Sequence, residues 1–250
     1  MQAYTKRRNS APPGFFEVEA AGLRWLDVPG GVPVAPVLAV DATSITIGRV
    51  ETTRPTPDAA ARFGAQLATT HDAGASAFGV GPDGWSGDGY IGDAPLSLRP
   101  EPIWGVFYAG QRVLPYARTA ARSGALDRSG LAAVEALAER IASGEFDDDA
   151  PPARLHGDLW SGNVLFSGGS VTLIDPAAHG GHRITDLAML ALFGLPYLAD
   201  VLDAYEAASL HLPTGWRGLV GLHQLHPLLV HAQLFGGGYG DQAAQIARRY

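Results

Sequence analysis

Residues 155–178 read L-H-G-D-L-W-S-G-N-V-L-F-S-G-G-S-V-T-L-I-D-P-A-A. Two apolar runs, Val164–Phe166 and Val171–Ile174, flank Ser167-Gly168-Gly169-Ser170, which is turn material. The pattern predicts a strand, a polar loop and then a hairpin. A hairpin brings its two ends together, so Asp158 and Asn163 at one end should meet Asp175 at the other. Asp and Asn in loops commonly serve as turn formers and caps. Three of them in this order around one hairpin suggest chemistry instead. One carboxylate can take a proton, while an amide oxygen and a second carboxylate can hold a metal.

Asp158 and Asn163 are five positions apart, the spacing of Asp and Asn in a protein-kinase catalytic loop. Asp175 follows an apolar strand, where such enzymes place the Asp that holds Mg²⁺. Together these are a minimal apparatus for phosphoryl transfer from ATP. H-G-D-L-x-x-G-N is the catalytic loop of the aminoglycoside phosphotransferase superfamily, and H-G-D-L-W-S-G-N at 156–163 resembles the fructosamine kinases within it. So do L-I-D-P-A-A-H-G-G-H-R at 173–183 and D-L-A-M-L-A-L-F-G at 186–194. L-H-Q-L-H-P-L-L-V-H-A at 222–232 and F-G-G-G-Y-G at 235–240 are similar to that family's C-terminal helices. The similarity covers almost the whole chain. One departure is Ile184, where family members commonly carry an acidic residue two places before Asp186.

The resemblance implies an α+β, protein-kinase-like two-lobe fold. A small, truncated antiparallel-sheet lobe with its hinge would occupy 1–50, and a larger, mainly helical lobe 51–250. MgATP would sit between them and give its γ-phosphoryl group to a sugar hydroxyl of a ketosamine, on C3 in the family, in a deglycation or repair role. Asp158 would be the base, and Asn163 and Asp175 the Mg²⁺ ligands. Lys6, paired with Glu19, would grip the phosphates. The backbone at Gly48, Arg49 and Val50 would pair with adenine, and Trp160 and His231 would lie beside the sugar. Two other readings stay open: a small-molecule kinase of the aminoglycoside or choline type, and a non-catalytic nucleotide-binding protein.

Working outward, Ala3–Arg7 is a strand candidate, and Phe15, Val18, Leu23 and Leu26 have helical spacing. Of 18 basic residues only Lys6 is lysine, which suggests a site where a compact ammonium matters. From the residues alone, Lys6 could equally belong to a solvated basic terminus and Glu19 to a solvated helix face. The lone lysine and the resemblance favour the ion pair. Val37–Val40 and Ser44–Val50 read as strands. Thr56-Pro57 opens a helix running to about His71. Ala73–Pro100 reads as a long functional loop on the substrate side, with Trp85 and Tyr90 pinning it to the core. Glu101–Ala121 and Asp127–Ser143 read as helices, the second with a core stripe of Leu131, Val134, Leu137 and Ile141. Asp147-Asp148-Asp149 reads as a solvated loop, and His179-Gly180-Gly181-His182 as a Gly-rich activation-type segment rather than a zinc site. Asp186 caps the next helix or braces the catalytic loop.

The net charge of −7 argues against a nucleic-acid partner. The absence of cysteine removes thiolate chemistry. Residues 1–16 hold no apolar run long enough for a signal peptide, and residues 187–198, the longest apolar stretch, are too short to span a bilayer. The expectation is a cytoplasmic protein without a membrane partner. Lys6 stands too near the start for a preceding Gly-rich phosphate loop. This leaves the first strand as an unpaired edge able to drive self-association.

Overall fold

The computed structural model describes residues 2–250. Three short strands, β1 (Ala3–Arg7), β2 (Val37–Asp41) and β3 (Ser44–Gly48), form an antiparallel sheet in the order β1-β3-β2. Ile45 and Ile47 of the central strand are buried against Phe16, Ala20 and Leu23 of helix α1 (Phe15–Leu26), giving the small lobe its own core. In β1 only Lys6 is half-buried, and its neighbours along the strand face solvent. The segment after α1 ties this sheet to the hairpin whose second strand holds Leu173. Leu173 N donates to Pro33 O and Ala35 N donates to Leu173 O.

Helix α2 (Pro57–Asp72) starts where Thr56 Oγ1 accepts from Ala59 N, with Pro57 supplying the helical φ at the first position. The segment expected to be one long loop carries a small hairpin, β4 (Gly89–Ile91) and β5 (Ala94–Leu96). Three-residue strands are too short to show alternation, and Pro95 counts against a strand. Tyr90 does pin this segment, donating from its hydroxyl to Pro13 O.

The helix expected from Glu101 begins at Trp104 and is not uniform. Helix α3 (Trp104–Phe107) widens into a π-helical turn at Tyr108–Val113 before α4 (Leu114–Arg122). Pro115 has no N–H for the i→i−4 ladder, and the widened turn just before it absorbs the fault. Asp147 is not merely solvated: its Oδ1 accepts from Gly105 N at the start of α3. Its neighbour Asp148 pairs with His182. Helix α5 (Arg128–Ala142) is capped by Asp127, whose Oδ1 accepts from Gly130 N, and buries Val134, Leu137 and Ile141 as expected.

Strand β6 (Ala153–Leu155) leads into the loop that carries Asp158 and Asn163. The hairpin β7 (Val164–Ser167) and β8 (Ser170–Leu173) follows, and then β9 (His179–Gly181), which pairs back onto β6. The His-Gly-Gly segment is thus a buried strand. Helices α6 (Ile184–Phe193), α7 (Leu198–Ala208), α8 (Val220–His223), α9 (Leu225–Phe235) and α10 (Tyr239–Ala247) complete the large lobe. Among the described residues no helix is long and apolar enough to cross a membrane.

Candidate active site

The hairpin does what its ends require. Asn163 closes a 3₁₀ turn (Ser161–Asn163), and its Nδ2 donates to Asp158 O at 2.8 Å and to Asp158 Oδ2 at 3.1 Å. The same nitrogen lies 3.4 Å from Asp175 O, so one amide group ties the three residues together. Asp175 has φ +54°, a left-handed conformation that Asp tolerates better than most residues, and it turns the chain out of β8 towards Pro176. Burial raises the Asp158 carboxyl above its usual range, and nearby His156 and the bond from Asn163 offset only part of this. It is therefore a stronger base than an exposed carboxylate.

Lys6 stands between two carboxylates, 2.5 Å from Glu19 Oε1 and 2.8 Å from Asp175 Oδ1. Burial pulls the lysine down, but Glu19 and Asp175 outweigh it, and its pKa ends above the usual value. Burial raises Glu19 despite the adjacent ammonium.

A second set of bonds fixes the catalytic loop from below. The buried Asp186 carboxylate accepts from His156 N at 2.7 Å, from Gly157 N at 3.0 Å and from His71 Nε2 at 3.2 Å. Asp186 is a brace for the loop, on the first turn of α6, rather than that helix's cap.

The cleft has two chambers with Lys6 and Asp175 in their common wall. One, of about 430 Å³, is lined by Asp158, Asn163, Trp160, Arg8, Phe15 and Tyr90 among others. The other, of about 460 Å³, is lined by Ile47, Gly48, Arg49, Val50, Leu165 and Ile174. Trp160 is 41 % exposed in the first, and its ring lies over Gly162, where a Cβ would approach within 2.3 Å. Gly48, Arg49 and Val50 line the second chamber. Two of their amides are already used, Gly48 N by Pro36 O and Arg49 N by Gln2 O.

His231 does not line either chamber. Its Nδ1 bonds Pro227 O, and its ring packs among Phe193, Phe235 and Tyr239. It still lies near Asp158. The expectation that it lies beside the sugar rests on the resemblance; here its ring packs among apolar rings next to the first chamber.

A fructosamine kinase family model matches residues 2–250. A probable ketoamine kinase of Enterococcus faecium is 30% identical, the match covering 95% of this chain and 83% of the relative. The chain belongs to the fructosamine kinase family. A putative fructosamine-3-kinase from Thermobifida fusca superposes with a TM-score of 0.90 at 48% identity, covering 99% of this chain and 86% of that one. An aminoglycoside phosphotransferase solved with ADP and hygromycin B shares the fold at a TM-score of 0.57 and 17% identity, covering 94% of this chain and 81% of that one. This fructosamine kinase family member is thus a phosphotransferase with a two-lobe, protein-kinase-like α+β fold.

The donor set suits a magnesium ion held jointly with phosphates. Asn163 spends its Nδ2 inside the protein, while its Oδ1 takes no hydrogen bond from the described residues. Asp175 is more than a third exposed. No group of three His, Cys, Asp or Glu among the described residues could hold a metal alone. Mg²⁺ commonly uses one or two carboxylates and completes its shell with substrate phosphates and water.

The sequence reading missed the roof of the first chamber. Asp93, at the tip of the β4–β5 hairpin, pairs with Arg8 at 2.6 Å, and Arg8 also lies over the Phe15 ring. Phe15 in turn packs on Tyr90. These contacts join the hairpin to the small lobe. Nothing local in G-D-G-Y-I-G-D-A marks them, because they form only when residues far apart in sequence meet.

Proposed function

We propose that the protein transfers the γ-phosphoryl group of MgATP to a sugar hydroxyl of a ketosamine. The observation that carries this reading is the shared wall. Lys6 and Asp175 border both chambers, Asp158 and Trp160 lie on one side, and Gly48–Val50 lie on the other. A nucleotide base in the second chamber would direct its phosphates towards Lys6 and Asp175, with the acceptor hydroxyl beside Asp158.

Asp158 receives the hydroxyl proton as the sugar oxygen bonds to phosphorus and the bond to ADP breaks. Its raised pKa suits that task. Asn163 and Asp175 would hold Mg²⁺, which when bound neutralises charge on the phosphate oxygens. Lys6, kept charged by Glu19, places the phosphates, and Trp160 offers the sugar an apolar face. Little covalent chemistry is asked of the protein; its contribution is orientation and charge. The family and its ketoamine kinase relatives support a ketosamine acceptor, in which case the physiological role is deglycation of sugar-modified amines.

The test is ADP release with a panel of fructosyl and ribulosyl amines against aminoglycosides and choline. Turnover confined to the ketosamines is expected; turnover confined to the other acceptors refutes the substrate assignment. Asp158→Asn should keep nucleotide binding and lose about 10²–10⁴-fold in kcat, and an unchanged kcat removes Asp158 from this role.

A further inference from the structure

Arg112, in the π-helical turn, is 1 % exposed, and its hydrogen-bond partners are all neutral. Its Nε donates to His179 Nε2 at 3.4 Å and its Nη1 to Ser97 O at 3.0 Å, while the guanidinium lies over the Phe107 ring at 4.6 Å. Its Nη2 has no partner. Burial lowers its pKa to about 10, so it remains a cation at neutral pH. Asp88 lies near enough to favour the charge but forms no hydrogen bond to it, and burying a cation without a hydrogen-bonded anion is expensive. A methionine would fill the space at no such cost, so the charge needs a reason.

The reason lies in what arginine cannot do. It does not lose its proton, so its Nε is always a donor. His179, also 1 % exposed, must then present Nε2 as an acceptor and carry its proton on Nδ1. That Nδ1–H donates to Ala177 O at 2.9 Å. Without the arginine, a neutral imidazole could take either tautomer, and one of them would set two acceptors against each other at Ala177.

The Ala177 carbonyl is where the two catalytic segments touch. At Gly157, which has φ +80°, a Cβ would come within 2.2 Å of Ala177 O and 2.9 Å of His179 Nδ1. Gly157 therefore rests on this hydrogen bond, and the next residue is Asp158. Ala177 is two residues after Asp175 and lines the first chamber. Asp186 holds the catalytic loop from the other side.

We propose that Arg112 is a positioning residue for phosphoryl transfer: it locks the tautomer of His179, and His179 holds the Ala177 carbonyl as the seat on which Gly157 sets Asp158 opposite Asp175. The inference rests on the phosphotransfer reading, and neither Arg112 nor His179 touches substrate.

Asparagine at 179 offers a donor at the Nδ1 position and has no tautomer to lock. Arg112→Met should lower kcat by about 10- to 100-fold in the native background, the loss expected from a misplacement near 1 Å, with KM for both substrates little changed. In the His179→Asn background the same substitution should cost less than about threefold, because coupled sites are not additive. An equal loss in both backgrounds marks Arg112 as merely structural and overturns the proposal, as does a wild-type kcat in Arg112→Met. A second readout needs neither the arginine variant nor turnover: the ¹H–¹⁵N spectrum of the histidine rings, with His179 assigned by its disappearance in His179→Asn. The protein should show His179 as the Nδ1–H tautomer alone, and an Nε2–H signal refutes the relay. Failure of wild-type turnover on every acceptor would count against the substrate assignment and leave the ring spectrum to decide the relay.

Discussion

Lowering the pH from 7 to 5 should destabilise this protein steeply, because three histidines are buried neutral. His179, His223 and His226 are each about 1 % exposed. His179 faces Arg112 and Phe107; His223 faces Thr185, Trp104, Tyr108 and His182; His226 faces Arg112, Tyr108 and Tyr116. None is hydrogen-bonded to a carboxylate among the described residues. Burial, with Arg112 or His182 adding repulsion, holds His179 and His223 well below the usual histidine range and His226 down to about 3. In the unfolded chain the same rings protonate near pH 6.5. Below that pH the unfolded state binds protons that the folded state refuses, so stability falls with acid. Linkage gives about 2 kcal/mol for each ring between pH 7 and 5, and about 6 kcal/mol for the three. His71, also lowered by burial, acts in the same direction. Asp158 and Glu19 return part of this, because their raised carboxyls take up protons more readily in the folded state. The remainder is a large fraction of the roughly 5–15 kcal/mol by which domains are stable. Urea unfolding at pH 7, 6 and 5 measures it; with a slope of about 3 kcal/mol per molar the midpoint should fall by up to about 2 M. His226→Asn keeps a donor for Arg112 O and should remove about a third of the shift. A midpoint constant between pH 7 and 5 would refute the reasoning.

Three further outcomes are expected. Asp175→Ala should abolish the Mg²⁺-dependent part of nucleotide affinity in a titration calorimeter, since it removes the carboxylate in the wall common to both chambers; wild-type MgATP affinity would exclude Asp175 as a metal ligand. Asp186→Asn replaces an acceptor of three buried donors with a group that is half donor, and should cost about 3–5 kcal/mol in urea unfolding together with much of kcat; an unchanged midpoint would refute the brace. Among the described residues β1 is an edge of its sheet, and an uncovered edge predicts self-association in light scattering; a monomer at every concentration would refute that.

The parts of the fold legible in the sequence are those written in local chemistry. Thr56-Pro57 and Asp127 cap the helices they were expected to cap, and the turn expected at 167–170 closes the hairpin, with Ser167 opposite Ser170. The convergence of Asp158, Asn163 and Asp175 was legible for the same reason: a hairpin fixes the distance between its own ends. What was not legible depends on neighbours distant in sequence. The stretch 101–121 read as one plain helix, and only the structure shows the π turn ahead of Pro115. His231 stands on a helix the sequence could identify, yet the three aromatic rings that surround it come together only in the fold. Asp93 looked like any loop acid until Arg8 was opposite it. Arg112 was one arginine among 17, and its burial without a hydrogen-bonded carboxylate is visible only in three dimensions.

The lone lysine gains its physical meaning in the same way. Elsewhere the chain uses arginine, whose planar fork meets carboxylates through separate nitrogens, as Arg217 does with Asp203 and Glu206. At position 6 one nitrogen must meet two carboxylates carried by different pieces of structure, Glu19 on α1 and Asp175 beyond β8, at 2.5 and 2.8 Å. An ammonium can do this because its donors diverge from a single atom. The two contacts are not equivalent. Glu19 is the more buried partner, at 11 % side-chain exposure against 39 % for Asp175. A phosphate chain entering between the chambers would therefore compete for the Asp175 side of the ammonium, while the Glu19 side holds Lys6 in place. Displacing that one contact would free the Asp175 carboxylate for a metal and turn the lysine towards the phosphates together. The ion pair that joins the two lobes in this structure would thus be exchanged for the contacts that phosphoryl transfer needs, with no further rearrangement of β1 or α1.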